Sequence, residues 1–207
     1  HSVWATVERV GLVQLREGVA RVVAVPHVNA ANGRLLIDQR GALWVTGRGG
    51  LARFDGTTWK VWTVVDGLAN AEPRMLAEAP DGALWLGYAD DNGLTRFDGE
   101  HFRTWTTADG LSHDSVFSLG VASDGTVWAG TARGVDHFDG TRFRNYSTRD
   151  GYPSSESNGN GFWRDDDGTL WFATAKGLAH YDPRWDLPLD TSVAIKLKHV
   201  TVGPSLH

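Results

Sequence analysis

Asp124-Gly125-Thr126-Val127-Trp128-Ala129-Gly130-Thr131 decides how this chain folds, because the same stretch returns along the sequence. Its copies are Gly41-Ala42-Leu43-Trp44-Val45-Thr46, Asp81-Gly82-Ala83-Leu84-Trp85-Leu86-Gly87 and Asp167-Gly168-Thr169-Leu170-Trp171-Phe172-Ala173-Thr174. A degenerate copy stands at Val3-Trp4-Ala5-Thr6. The tryptophans at 4, 44, 85, 128 and 171 are 40, 41, 43 and 43 residues apart. A period of this size marks a repeat architecture, in which each unit buries its faces only against its neighbours.

Each unit holds four short apolar runs divided by turn residues. In one of them the runs are Arg74 to Glu78, Ala83 to Gly87, Gly93 to Phe97 and His101 to Thr106, with Asp81-Gly82 and Asp98-Gly99 between them. Asp-Gly between apolar runs is a strong hairpin signal, since glycine accepts the positive φ that such turns need. Four strands per unit of about 40 residues predict an all-β fold, a β-propeller of four-stranded blades with five Trp-marked units. The second strand is apolar at consecutive positions, as in Leu43-Trp44-Val45 and Leu170-Trp171-Phe172. Both of its faces must therefore be buried, as in stacked blades. The fourth strand alternates, as in Phe102-Arg103-Thr104-Trp105, which suits an outer edge partly in water. An indole hides about 150–250 Å², worth roughly 4–6 kcal/mol as an upper bound. Nothing else in a unit offers as much, so the repeated tryptophans read as core and not as a sugar-stacking ladder.

The first unit is expected to lack its inner strand, with Val3-Trp4-Ala5, Gly11 to Leu15 and Val19 to Val25 as its second, third and fourth strands. Complete units are expected at 33–63, 73–106 and 116–147. The last unit keeps three strands to Tyr181 and breaks at Pro183 to Pro188, so residues 1–187 are assigned to blades. Residues 188–207, with the β-like run Ser192 to Val202, form either a closing strand or the start of another domain. No signal peptide is visible, and the His1-Ser2 start reads as a processed end, so the chain is expected to be a fragment.

Composition excludes several classes. The net charge of −5 is mild, with no basic stripe for nucleic acid. No run approaches the roughly 20 apolar residues of a membrane helix, so direct membrane insertion is not expected. The absence of cysteine rules out disulfides and thiolate catalysis without fixing the compartment.

Three elements recurring in register carry a family resemblance. They are Asp-Gly-x-[Leu/Val]-Trp-x-Gly-Thr, Gly-[Leu/Val]-x-[Arg/His]-Phe-Asp-Gly, and an aromatic pair such as Trp59-Lys60-Val61-Trp62-Thr63 leading to Asp66-Gly67-Leu68. The chain resembles the two-component regulator propeller repeat family over almost its whole length to Tyr181. The resemblance implies the C-terminal part of a propeller in the periplasmic or extracellular input region of a hybrid two-component sensor kinase. Many members of that class respond to oligosaccharides, so the ligand is expected to be an oligosaccharide or a similar polar molecule. It also implies that 188–207 enter an Ig-like β-sandwich, with neighbouring propeller or sandwich domains of the same receptor as partners and a homodimer as an open alternative. Gly11 to Gly18 depart from the pattern, lacking the Phe-Asp-Gly.

The repeat consensus is scaffold, so function is expected in loops that differ between units at one mouth of the channel. Loops from fourth strand to next first strand carry Asn70, Glu72, Arg74, His113, Asp114, Glu156 and Asn158, besides His27, Asn29 and Asn32. Loops between second and third strands carry Arg48, Asp90, Asp91, Arg133 and Lys176. Together they suit a small hydroxyl-rich ligand. Trp163 stands where other units have Leu36, Ala77 and Gly120, and either fills a gap or offers a stacking face near the channel. Asp165-Asp166-Asp167 reads as an acidic turn in preference to a calcium loop, and His137 and His180 as blade-surface residues at the places of Arg53 and Arg96. No zinc-type spacing or nucleophile–base pair stands out, so no catalytic residue, metal or cofactor is expected. The alternative is a propeller enzyme, a polysaccharide or lactone lyase or hydrolase.

Overall fold

A computed structural model describes residues 2–185, with the side chain of Trp185 excluded. The expectation for 188–207 lies outside the described residues. Eighteen strands form five antiparallel sheets among the described residues, each built from strands consecutive in sequence. The first sheet is β1 (Ser2–Val7), β2 (Gly11–Arg16) and β3 (Val19–Val23). The second is β4 (Leu35–Ile37), β5 (Leu43–Gly47), β6 (Gly50–Phe54) and β7 (Trp59–Trp62). The third is β8 (Met75–Glu78), β9 (Leu84–Gly87), β10 (Leu94–Phe97) and β11 (Phe102–Trp105). The fourth is β12 (Val116–Val121), β13 (Val127–Thr131), β14 (Gly134–Phe138) and β15 (Phe143–Tyr146). The fifth is β16 (Ser157–Arg164), β17 (Leu170–Thr174) and β18 (Gly177–Tyr181).

The core lies between the sheets, and one aromatic arrangement builds it repeatedly. Trp44 stacks on Trp62 across its own sheet at 5.3 Å, and Phe97 of the next sheet meets both edge-on, at 6.2 and 5.0 Å. Trp85 and Trp105 stack at 5.2 Å, and Phe138 of the next sheet meets them at 5.7 and 5.1 Å. Trp128, Tyr146 and Tyr181 repeat the set once more. Stacked and edge-on pairs are the arrangements that ring quadrupoles favour. Trp44, Trp85 and Trp128 are buried, as core requires. Trp4 meets Phe54 at 6.3 Å, which places β1 as a second strand with no inner partner in its sheet. Cations cover the free face of the outer ring: Lys60 over Trp62, Arg103 over Trp105 and Arg144 over Tyr146, all within 5 Å.

The turns are closed by aspartates. Asp55, Asp98 and Asp139 accept backbone N–H groups two and three residues on. The Asp-Gly-[Leu/Tyr] element that follows each outer strand is a capped 3-10 turn, at Val64–Asp66, Thr107–Asp109 and Thr148–Asp150. Thr63, Thr106 and Ser147 exchange bonds with Asp66, Asp109 and Asp150 in a capping box. Each turn ends on a left-handed glycine and then buries Leu68, Leu111 or Tyr152. These turns set the angle at which the chain leaves one sheet for the next.

The two end sheets differ from the middle three. Val3, Leu15 and Val22 of the first sheet are exposed, and so are Trp163 and Leu178 of the fifth, whereas Leu51, Leu94 and Val135, at the places matching Leu178, are buried.

Candidate functional site

The hairpin loops joining second to third strands and the links between sheets meet at one end of the sheets. Asn29 and Arg48 exchange backbone bonds (Asn29 N–H to Arg48 O at 2.7 Å, Arg48 N–H to Asn29 O at 3.1 Å), and Gly49 N–H donates to Ala71 O at 2.8 Å. Three loops from successive units are thereby tied into one frame. Around it opens a cavity of about 370 Å³ lined by Glu8, Arg9, Asn29, Ala31, Asn32, Arg48, Glu72 and Arg74.

Within this cavity Arg74 Nη2 donates to Glu72 Oε1 at 2.8 Å, and Arg48 Nε stands 3.7 Å from Glu72 Oε2. Asn70 accepts from Glu72 N–H at 2.9 Å and so shapes the loop that presents Glu72. Arg34 Nε donates to Arg74 O at 3.3 Å, and its partial burial lowers its guanidinium pKa. Arg48 is largely exposed, with 80% of its side chain accessible.

A second polar cluster joins the third and fourth units. Ser115 Oγ donates to Asp91, Ser115 N–H donates to His113 Nδ1 at 3.0 Å, and His113 Nδ1 lies 3.8 Å from Asp91 Oδ1. Serine thus bonds the carboxylate directly, which is not the serine-to-imidazole relay of an activated nucleophile. Asp114 takes the N–H and hydroxyl of Thr107, while its carbonyl accepts from Gly93. Asp90 is exposed, and its carbonyl accepts from Asn92.

Arg133 Nη1 donates to Ser112 O at 3.4 Å and so touches a third group centred on Asp136. Asp136 is fully buried on β14, where the other units have Val13, Ala52, Thr95 and Ala179. Ser112 Oγ and Asn145 Nδ2 donate to it, with Thr131 Oγ1 at 3.4 Å. Burial pushes its carboxyl up to about 6, against the pull of those donors.

The remaining sequence-derived candidates stand elsewhere. Glu156, Asn158 and Lys176 are exposed on the fifth unit, outside these clusters. Trp163 faces Trp171 across β16 and β17, two-thirds exposed, near the turn at the far end of its strand from the linking loop. Asp165 explains its position: one carboxylate oxygen accepts from the indole N–H of Trp163 and the other from that of Trp171, both at 2.8 Å. Asp167 accepts from Thr169. The acidic run is therefore an indole clamp followed by a turn, and among the described residues no three His, Asp or Glu gather to hold a metal. His137 is no plain surface residue, since it stacks on Trp128 at 4.3 Å.

Sequence reading missed Glu8 and Arg9, although they lie four and five residues past Trp4, the offset at which Arg48 follows Trp44 and Arg133 follows Trp128. It also missed Asp136, whose signal was a carboxylate at a strand position that is Val, Ala or Thr in the other units.

No protein-family model matches the chain, and no curated protein matches it. Solved structures do. One is the extracellular domain of what is described as a hybrid two-component system from B. thetaiotaomicron, with a TM-score of 0.71 and 16% identity over 87% of this chain. The chain spans 27% of that structure's length. Virginiamycin B lyase from Staphylococcus aureus has a TM-score of 0.65 at 18% identity, over 87% of this chain and 66% of the lyase. A gluconolactonase from Xanthomonas campestris has a TM-score of 0.58 at 17% identity, over 84% of this chain and 65% of that one. At such identities these likenesses establish the architecture, a β-propeller-like series of antiparallel sheets, and leave the chemistry to this chain's own residues.

Proposed function

We propose that this chain is the non-catalytic, ligand-sensing part of an exported two-component receptor, periplasmic or extracellular, and that it binds an oligosaccharide at the polar mouth. The observation that carries this reading is the cavity where loops of three units, locked together through Asn29, Arg48 and Ala71, present Arg48, Glu72 and Arg74. A frame fixed by its own backbone bonds loses little entropy on binding, and its charged and amide side chains match hydroxyl-rich chemistry. The likeness to extracellular sensor domains supports the role. Signal would pass through altered packing against the neighbouring domains of the receptor.

A lyase or lactone hydrolase is the second reading, favoured by the likeness to virginiamycin B lyase and gluconolactonase structures. A thermal-shift screen of oligosaccharides, with and without divalent ions, separates the two, since a ligand raises stability by mass action. A shift without turnover supports the sensor. Turnover of any of these sugars, or of a lactone, would replace it with the enzyme.

A further inference from the structure

We propose that the ligand of this mouth is anionic: a uronic-acid saccharide whose carboxylate seats on Arg48 and Arg74. The inference rests on the binding reading above and adds the chemical class. The cavity carries three guanidinium groups, Arg9, Arg48 and Arg74, against two carboxylates, Glu8 and Glu72. The lining is thus net positive by one in a chain of net charge −5.

Glu72 cannot absorb the excess. One of its oxygens is taken by Arg74 at 2.8 Å, and Arg48 stands 3.7 Å from the other. Each guanidinium has five N–H donors in a planar fork, so most of the donors here remain for an incoming group. A neutral sugar presents donors and acceptors in equal measure, whereas a carboxylate presents acceptors alone and matches the fork bidentately. Asn29 Oδ1 accepts from Ala31 N–H at 3.0 Å, so its Nδ2 and the amide of Asn32 are left to address ring hydroxyls. The third unit's hairpin and the link to the fourth carry Asp90, Asp91 and Asp114, none of which lines this cavity.

The backbone supports a built site. The bonds joining Asn29 to Arg48 and Gly49 to Ala71 keep the arginines' loops in register.

Calorimetry on the 207-residue chain tests this, using disaccharides of galacturonic and glucuronic acid, neutral disaccharides of matched stereochemistry, and acetate. A uronic-acid disaccharide should bind at least tenfold tighter than its neutral match and weaken with added salt. Arg48→Gln should weaken it at least tenfold with an unchanged melting temperature. Arg142→Gln, which removes the same charge from a turn at the other end, should leave binding intact. Equal binding of acidic and neutral sugars would overturn the anionic class and leave the binding site standing. Acetate matching the disaccharides would overturn the saccharide. Binding of none of the sugars would overturn both this inference and the site itself.

Discussion

Asp136→Asn should stabilise the protein at neutral pH, and the size of the effect follows from where Asp136 sits. Its carboxyl is fully buried and moves from an ordinary value of 3.8 to about 6 in the folded chain. The folded state therefore binds the proton more tightly than the unfolded state. Below the unfolded value both states are protonated and no penalty exists. Between 3.8 and about 6 the penalty grows as pH rises, and above that it is constant. At 1.36 kcal/mol per pKa unit, the full penalty is about 3 kcal/mol. Asparagine keeps the shape and most of the bonding. Its oxygen can accept from Asn145, and its amide can donate to Ser112 Oγ. Urea unfolding of both proteins from pH 4 to pH 8 isolates this contribution as a difference. Parity near pH 4, rising to a variant more stable by about 3 kcal/mol above pH 6, is expected. A difference that stays flat across this range would refute the reasoning, because Asp136 would then titrate as an ordinary surface acid.

Removing a core indole should cost far more than removing the exposed one: Trp85→Ala about 3–5 kcal/mol in chemical denaturation, and Trp163→Ala under about 1 kcal/mol, since Trp163 is two-thirds exposed. Gly120→Ala should destabilise by about 1–3 kcal/mol, because a Cβ there would meet Phe162 of the next sheet at 2.0 Å; thermal unfolding reads this directly. Asp109→Ala removes the carboxylate of a capping box and should cost about 0.5–2 kcal/mol, with faster amide exchange at Leu111 than in the wild type. On the acid side, Asp139 is held well below the usual carboxyl range by the Thr141 hydroxyl and the Arg142 and Thr141 N–H groups. Its stabilisation is present above pH 4 and is lost as pH falls further, so Asp139→Asn should flatten the acid limb of the stability curve.

Much of the fold was legible because it rests on local rules repeated at a fixed period. The Asp-Gly pairs named the turns, the doubly apolar second strand required two buried faces, and Trp44, Trp85 and Trp128 stand in the cores that their size demanded. The Asp-Gly-Leu element was visible as a motif but not as a capped 3-10 turn, since its capping box depends on a side chain reaching back three residues. Trp163 was legible as an exception, and its register opposite Trp171 follows from the alignment with Leu36, Ala77 and Gly120. Its setting was not legible, because Asp165 fixes two indoles at once and nothing in a linear pattern shows that geometry.

The sequence by itself determined the repeat, the strands and their order, for these follow from periodicity and turn chemistry within about 43 residues. Only the tertiary structure decided which loop residues share a site. Arg9, Arg48 and Arg74 are spread over 65 residues and meet because two hairpins and the link between the second and third sheets converge. Asp136 likewise becomes a buried, titrating acid only when the link carrying Ser112 folds over it. Burial and convergence are properties of packed sheets, and no single unit contains them.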